Sequence, residues 1–178
     1  MATCSALTAG RALDCKDAVG GIKKVFFCYH ENLGTVTEAS DIITDIAATT
    51  VFKYELPTNT GSFTQTINSS VENGTVFWQQ DVNIKLHKLS TTDRKEIKLL
   101  AQSRLCIFVF DSNNNLILAG QESGAELTAG THATGVAKAD LNGYDLTFTA
   151  TSSYPAKYLT QNDSAFQGIS TPSNITIS

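Results

Sequence analysis

The sequence predicts a mainly β fold: an antiparallel β-sandwich or barrel with one short flanking α-helix, at about residues 91–103, and extended loop and terminal arms. Three observations carry this expectation. Hydrophobic residues make up 42% of the 178 residues and charged residues only 17%, below the roughly 25% usual for soluble domains. Ser, Thr, Asn and Gly replace the missing charge, a habit of strands and turns rather than of exposed helices. Next, Val82, Ile84 and Leu86 alternate with Asp81, Asn83, Lys85 and His87. A pleated strand therefore carries the aliphatics on one face and the polar groups on the other. Finally, the period changes directly afterwards to helical spacing, at Ile97, Leu100 and Ala101. A chain of this length buries a core without disulfides or metals and is read as one domain, 1–178.

Residues 1–21 lack periodicity and end at Gly20-Gly21, as an N-terminal arm would. Ile22 to His30 is dense in aromatic and β-branched residues and is the first firm strand. From Asn32 to Ala48 the pattern is open. Ile42, Ile43 and Ile46 suit a turn or two of helix over Glu38 to Ala48, and a connecting loop fits nearly as well. Thr49 to Leu56 is a strand closed by Pro57. Residues 57–76 form a long loop or hairpin excursion. Within the extended region from Ser62 to Lys88, Asn73-Gly74 is a hairpin signal, because both residues tolerate positive φ.

Ser90-Thr91-Thr92-Asp93 resembles a capping box, with Asp in place of the preferred Glu or Gln. It opens the helix, with Arg94, Lys95, Glu96 and Lys98 on the wet side. Leu105 to Phe110 is continuously apolar and too short for another helix, so it is a strand buried on both faces. Asp111 to Asn115 turns the chain and Leu116 to Ala119 returns beside it. Gly120 to Gly130 is loop-like. Thr131 to Asp140 and Tyr144 to Thr151 are strands joined at Asn142-Gly143, with Tyr144, Leu146, Phe148 and Ala150 on one face. Residues 155–178 form a polar C-terminal arm with at most one edge strand.

Each tempting chemical site fails a requirement of spacing or context. Asp111, Asn113, Asn115 and Glu122 match a calcium-loop template, but Leu116 stands where the sharp turn needs Gly and the flanks are strands. A turn of Asx residues is the expected reading. Cys15, Cys28 and His30 lack the tight pairing of zinc ligands. Gly120-Gln121-Glu122-Ser123-Gly124 lacks the Lys and following helix of a phosphate loop. His30, His87 and His132 lie apart, and no nucleophile signature surrounds any Ser or Cys. No catalytic, cofactor or metal site is expected, and the chain is read as not an enzyme.

Cys4, Cys15, Cys28 and Cys106 are expected to be free thiols in a reducing cytoplasm. The first eight residues show no basic segment followed by an apolar one, so no secretory leader is expected. No apolar run reaches the ~18 residues of a membrane span. The formal net charge of −4 supplies no basic footprint for nucleic acid; a polyanion would pass without sticking. Trp78 lies beside Val76 and Phe77. Core packing is the ordinary fate of such aromatics, and a subunit contact through Val76, Phe77 and Trp78 is the functional reading.

Across Ser62 to Leu159 the organisation resembles the tail-tube proteins of long-tailed bacteriophages and related virion structural proteins. The resemblance rests on Val82-Asn83-Ile84-Lys85-Leu86-His87-Lys88-Leu89, on Asp93-Arg94-Lys95-Glu96-Ile97, on Leu105-Cys106-Ile107-Phe108-Val109-Phe110-Asp111 and on Asn142-Gly143-Tyr144-Asp145-Leu146-Thr147-Phe148. It implies a homo-oligomeric ring of six copies, joined through sheet edges and stacked into a tube by a long loop and terminal arms. DNA would pass through the lumen without specific binding, and other phage tail proteins would be partners. The protein would be made in the host cytoplasm and reside in the virion. A head-decoration or tail-terminator protein is the alternative, and a secreted β-sandwich adhesin or carbohydrate-binding module a more distant one.

Overall fold

Strand follows strand along most of the chain in the computed structural model, which describes residues 10–11, 16–48, 50–88, 90–160 and 176–177. The elements are β1 (Ile22–Tyr29), β2 (Val36–Ala39), β3 (Ile42–Ile46), β4 (Thr50–Glu55), β5 (Gly61–Ser70) and β6 (Thr75–His87). After α1 (Thr91–Gln102) come β7 (Leu105–Asp111), β8 (Leu116–Ala119), β9 (Ala125–Ala133), β10 (Gly143–Ser152), β11 (Lys157–Leu159) and β12 (Thr176–Ile177). The fold is mainly β with one short α-helix, as the composition and the change of period predict.

The strands form two layers. One runs β12-β4-β1-β7-β8-β11-β3-β2; the other runs β5-β6-β10-β9. The chain of pairings passes from one layer to the other through the bridge of Leu105 to Ala125. Of the sandwich and barrel alternatives the barrel is excluded, since the sheet does not close on itself. The sheet is also mixed rather than purely antiparallel, because β11–β3 and β12–β4 are parallel pairs.

Alternation explains where the core sits. Val25 and Phe27 of β1 and Leu105, Ile107 and Val109 of β7 point at Val82 and Ile84 of β6 and at Leu146, Phe148 and Ala150 of β10. Phe27 ties the layers together, edge-on to Tyr54 at 5.1 Å and 5.2 Å from Phe148. The opposite face of β1 and β7 is apolar too: Phe26, Cys28, Cys106, Phe108 and Phe110 are buried with Ile43, Ile46, Leu116 and Leu159. Thus Leu105 to Phe110 is buried on both faces, as its unbroken apolar run requires.

The helix begins where the capping residues place it. Ser90 is extended (φ −127°, ψ 160°) and its side chain accepts from the Asp93 N–H at 3.1 Å. Leu100 is buried and Ile97 half-buried against the core, while Ala101, expected beside them, is exposed.

Elsewhere the structure corrects the sequence reading. The stretch from Asn32 to Ala48 contains no α-helix: β2 and β3 make a hairpin turned by Ser40 and Asp41, both at positive φ (53° and 66°). A bulge leaves Thr44 out of register with β2, its hydroxyl donating to the Thr37 carbonyl, so Ile43 and Ile46 come to one buried face and imitate helical spacing. Loop-like Gly120 to Gly130 is half strand, because β9 begins at Ala125. Its partner strand does not reach Asp140: β9 stops at Ala133 and a loop leads to Gly143, which is the first residue of β10 rather than part of a tight turn. In the C-terminal arm, β11 lies between β8 and β3 instead of at an edge, and β12 adds a second strand. Of the loop and hairpin alternatives at 57–76, by contrast, the chain forms the hairpin: 61–70 and 75–76 are paired strand, and 57–60 and 71–74 are loop and turn.

Candidate functional site

The β5–β6 hairpin extends beyond the layer that holds it. Pairing of β5 with β6 runs from Gly61–Ile84 to Ser70–Thr75, but β10 accompanies β6 only as far as Ser152–Trp78. Residues 68–77 therefore project as a two-stranded arm. Among the described residues β5 pairs only with β6, so its outer edge is open.

Directly opposed residues share a face, which sorts the arm into rows. The first inward row, Phe63–Val82–Phe148, belongs to the core. In the next, Gln65–Gln80–Ala150, two amides replace apolar side chains and bind the neighbouring turns. Gln80 Oε1 accepts from the Gly120 N–H at 2.9 Å and Gln65 Oε1 from the Ala156 N–H at 2.7 Å. Beyond these, Ile67–Trp78–Ser152 and then Ser69–Val76 continue the same face, the last pair lying past the end of β10. Ile67 is 57% exposed, Val76 55% and Val71, in the turn, 95%. Trp78 is half-buried.

The three candidate contact residues are adjacent in sequence but not on one face. Val76 and Trp78 point inward, whereas Phe77 points outward beside Asn68 and is 43% exposed. Asn68 Nδ2 is buried and has no hydrogen-bond partner among the described residues. Val76 and Phe77 border a shallow groove of about 470 Å³ whose polar wall is Glu122, Ser152 and Ser153. The Glu122 carboxylate accepts from the Ser153 N–H and from the hydroxyls of Ser152 and Ser153. The Ser153 N–H is the main reason its pKa lies below the ordinary carboxylate range. Ile67 and Val71 are further exposed apolar residues of the same hairpin, outside that groove. Sequence inspection misses them, because alternation assigns a face without showing how much of it is covered.

The outer face of β6 and β10 is polar. Asn83 Nδ2 donates to Asp145 Oδ1 at 2.8 Å and to Thr147 Oγ1 at 3.0 Å. Asp81 accepts from Thr149 Oγ1 at 2.7 Å and from Gln79 Nε2 at 2.9 Å. Lys85 lies 3.4 Å from Asp145.

The remaining candidates are placed apart. Asp111 accepts from the N–H groups of Asn113 and Asn115 at 2.8 and 2.7 Å and from Asn115 Nδ2 at 2.9 Å. It organises its own turn, while Glu122 is engaged with Ser152 and Ser153. Cys28 is buried with its Sγ toward the Tyr29 carbonyl, and His30 Nε2 lies 3.2 Å from the Gln121 carbonyl; Cys15 lies outside the described residues. Among the described residues no group of three or more His, Cys, Asp or Glu is placed to hold a metal ion. His87 lies on the polar face of β6, exposed, and His132 stacks on Tyr144 at 5.0 Å. No described helix is long and apolar enough to cross a membrane.

Compared with models of protein families, with curated proteins and with solved structures, the chain matches none.

Proposed function

We propose that the chain is a structural subunit that assembles with copies of itself through the β5–β6 arm, as the tail-tube subunit of a long-tailed bacteriophage. In this reading six copies form a ring and rings stack around a lumen through which DNA passes. The observation that carries it is the inward row of the hairpin. Ile67, Trp78 and Val76 continue the face that carries the core, yet Ile67 and Val76 are more than half exposed and β10 flanks β6 no further than Trp78. Clustered apolar side chains at a projecting tip mark a surface that another molecule covers. Further support comes from the edges. Among the described residues the outer sides of β5 and β2 have no pairing strand, and a ring of neighbouring copies would satisfy their backbone groups. The short donor-and-acceptor network on the polar face, with Asp81 and Asp145 in it, suits a wall past which a polyanion moves without binding.

The test is sedimentation of purified chain over a range of concentrations, followed by the same measurement on Val76→Asp. Wild type is expected to form large discrete species, and Val76→Asp to remain monomeric with an unchanged β circular-dichroism signature. Monomeric wild type at high concentration, with no assembly on addition of other tail components, would contradict the proposal.

A further inference from the structure

We infer that the tip of the arm, Val71–Glu72, docks in the groove between α1 and the β9–β10 pair of a second copy of this chain. The inference rests on the self-assembly reading above and adds to it a specific pair of complementary surfaces.

The groove has a volume of about 520 Å³ and is lined by Arg94, Ile97, Lys98, Ala101, His132 and Tyr144. Its floor is apolar: Ile97 is half-buried, and the Tyr144 ring carries His132 stacked upon it. Arg94 and Lys98 stand one helical turn apart on the rim, where residues four apart are neighbours. Among the described residues no carboxylate lines the groove and neither cation takes part in an ion pair. Its occupant must therefore bring an apolar side chain together with a negative charge.

The hairpin turn offers that combination. Val71 is 95% exposed, and the adjacent Glu72 is exposed and forms no ion pair among the described residues. A chain cannot place its own tip in its own groove. Tyr144 sits opposite Leu86, at one end of β6, and the turn lies just before Thr75 at the other. At ~3.3 Å per residue these points are about 36 Å apart along a paired strand. The contact therefore joins two copies. Because it matches unlike surfaces at opposite ends, it repeats head to tail and builds a ring or an open stack rather than a symmetric pair.

Two measurements test this. A photoreactive benzoylphenylalanine replaces Val71 in the full chain, and unlabelled copies are mixed with isotope-labelled ones. Mass spectrometry is expected to find cross-links between copies, from position 71 to residues 94–101 or to His132. Assemblies that form but cross-link elsewhere would overturn the docking inference and leave self-assembly standing; a chain that stays monomeric would overturn both. In the second measurement, Arg94→Glu with Lys98→Glu is expected to raise the concentration needed for assembly about tenfold or more, as loss of a close charge pair would. Adding Glu72→Lys should bring it back to within about threefold of wild type. These residues are exposed, so the β signature should persist in every variant. A reversed rim without effect, or one that Glu72→Lys leaves unrescued, would overturn the inference.

Discussion

Cys28 and Cys106 face one another across β1 and β7, and both are fully buried. Burial holds the Cys28 thiol up at about 11 and the Cys106 thiol at about 12, against an ordinary value of 9.0. In the unfolded chain both would ionise near pH 9 while the fold keeps them protonated. The unfolded state then binds fewer protons, so stability falls as pH rises from about 9 toward 12. The urea midpoint is expected to decline over that range, and less steeply in Cys28→Ala/Cys106→Ala. At pH 8 neither thiol should react with a small alkylating agent until the chain unfolds; peptide mapping distinguishes them from Cys4 and Cys15. Phe148 is a second residue-scale case. It is fully buried between the layers, and Phe148→Ala should cost about 3–5 kcal/mol, measured by denaturant unfolding. Its inward direction was legible from alternation with Asp145, Thr147 and Thr149. The requirement for glycine at Gly143 was not. A Cβ there would lie 1.9 Å from the Leu86 carbonyl oxygen, a clash set by strand-to-strand approach rather than by a turn.

At the scale of elements, legibility followed locality. The helix was readable because its signals are its own: a Ser N-cap, an acidic first turn and a single spacing. Ser90→Ala removes the acceptor for the Asp93 N–H and should lower stability by about 1 kcal/mol in a thermal or urea unfolding experiment. The β6 strand was readable for the same reason. The β2–β3 hairpin was hidden by the bulge at Thr44, which brings Ile43 and Ile46 to one face against the strand period. The start of β9 was hidden by composition, since Thr128, Ala129 and Gly130 are exposed and contribute little apolar signal. For the arm itself, Asn73-Gly74 predicted the turn, with Gly74 at φ 63°, but not the overhang. Trp78 stands opposite Ser152, the last residue of β10 to pair with β6. Trp78→Ala is therefore expected to impair assembly, seen by sedimentation, while the β circular-dichroism signature is retained; loss of the fold instead would make Trp78 an ordinary core residue.

For the whole molecule, the two layers depend on pairings that no local pattern specifies. The β11 strand takes its place between β8 and β3 through contacts far apart in sequence. The layers exchange through the Leu105–Ala125 bridge. That arrangement fixes where β10 stops and so leaves the arm projecting at one end, with the helix and its basic groove at the other. Self-assembly through these ends is the central claim, and electron microscopy of the purified chain at high concentration tests it most directly. Stacked rings with a central hole are the predicted result. Isolated monomers, unchanged when other tail components are added, would contradict it.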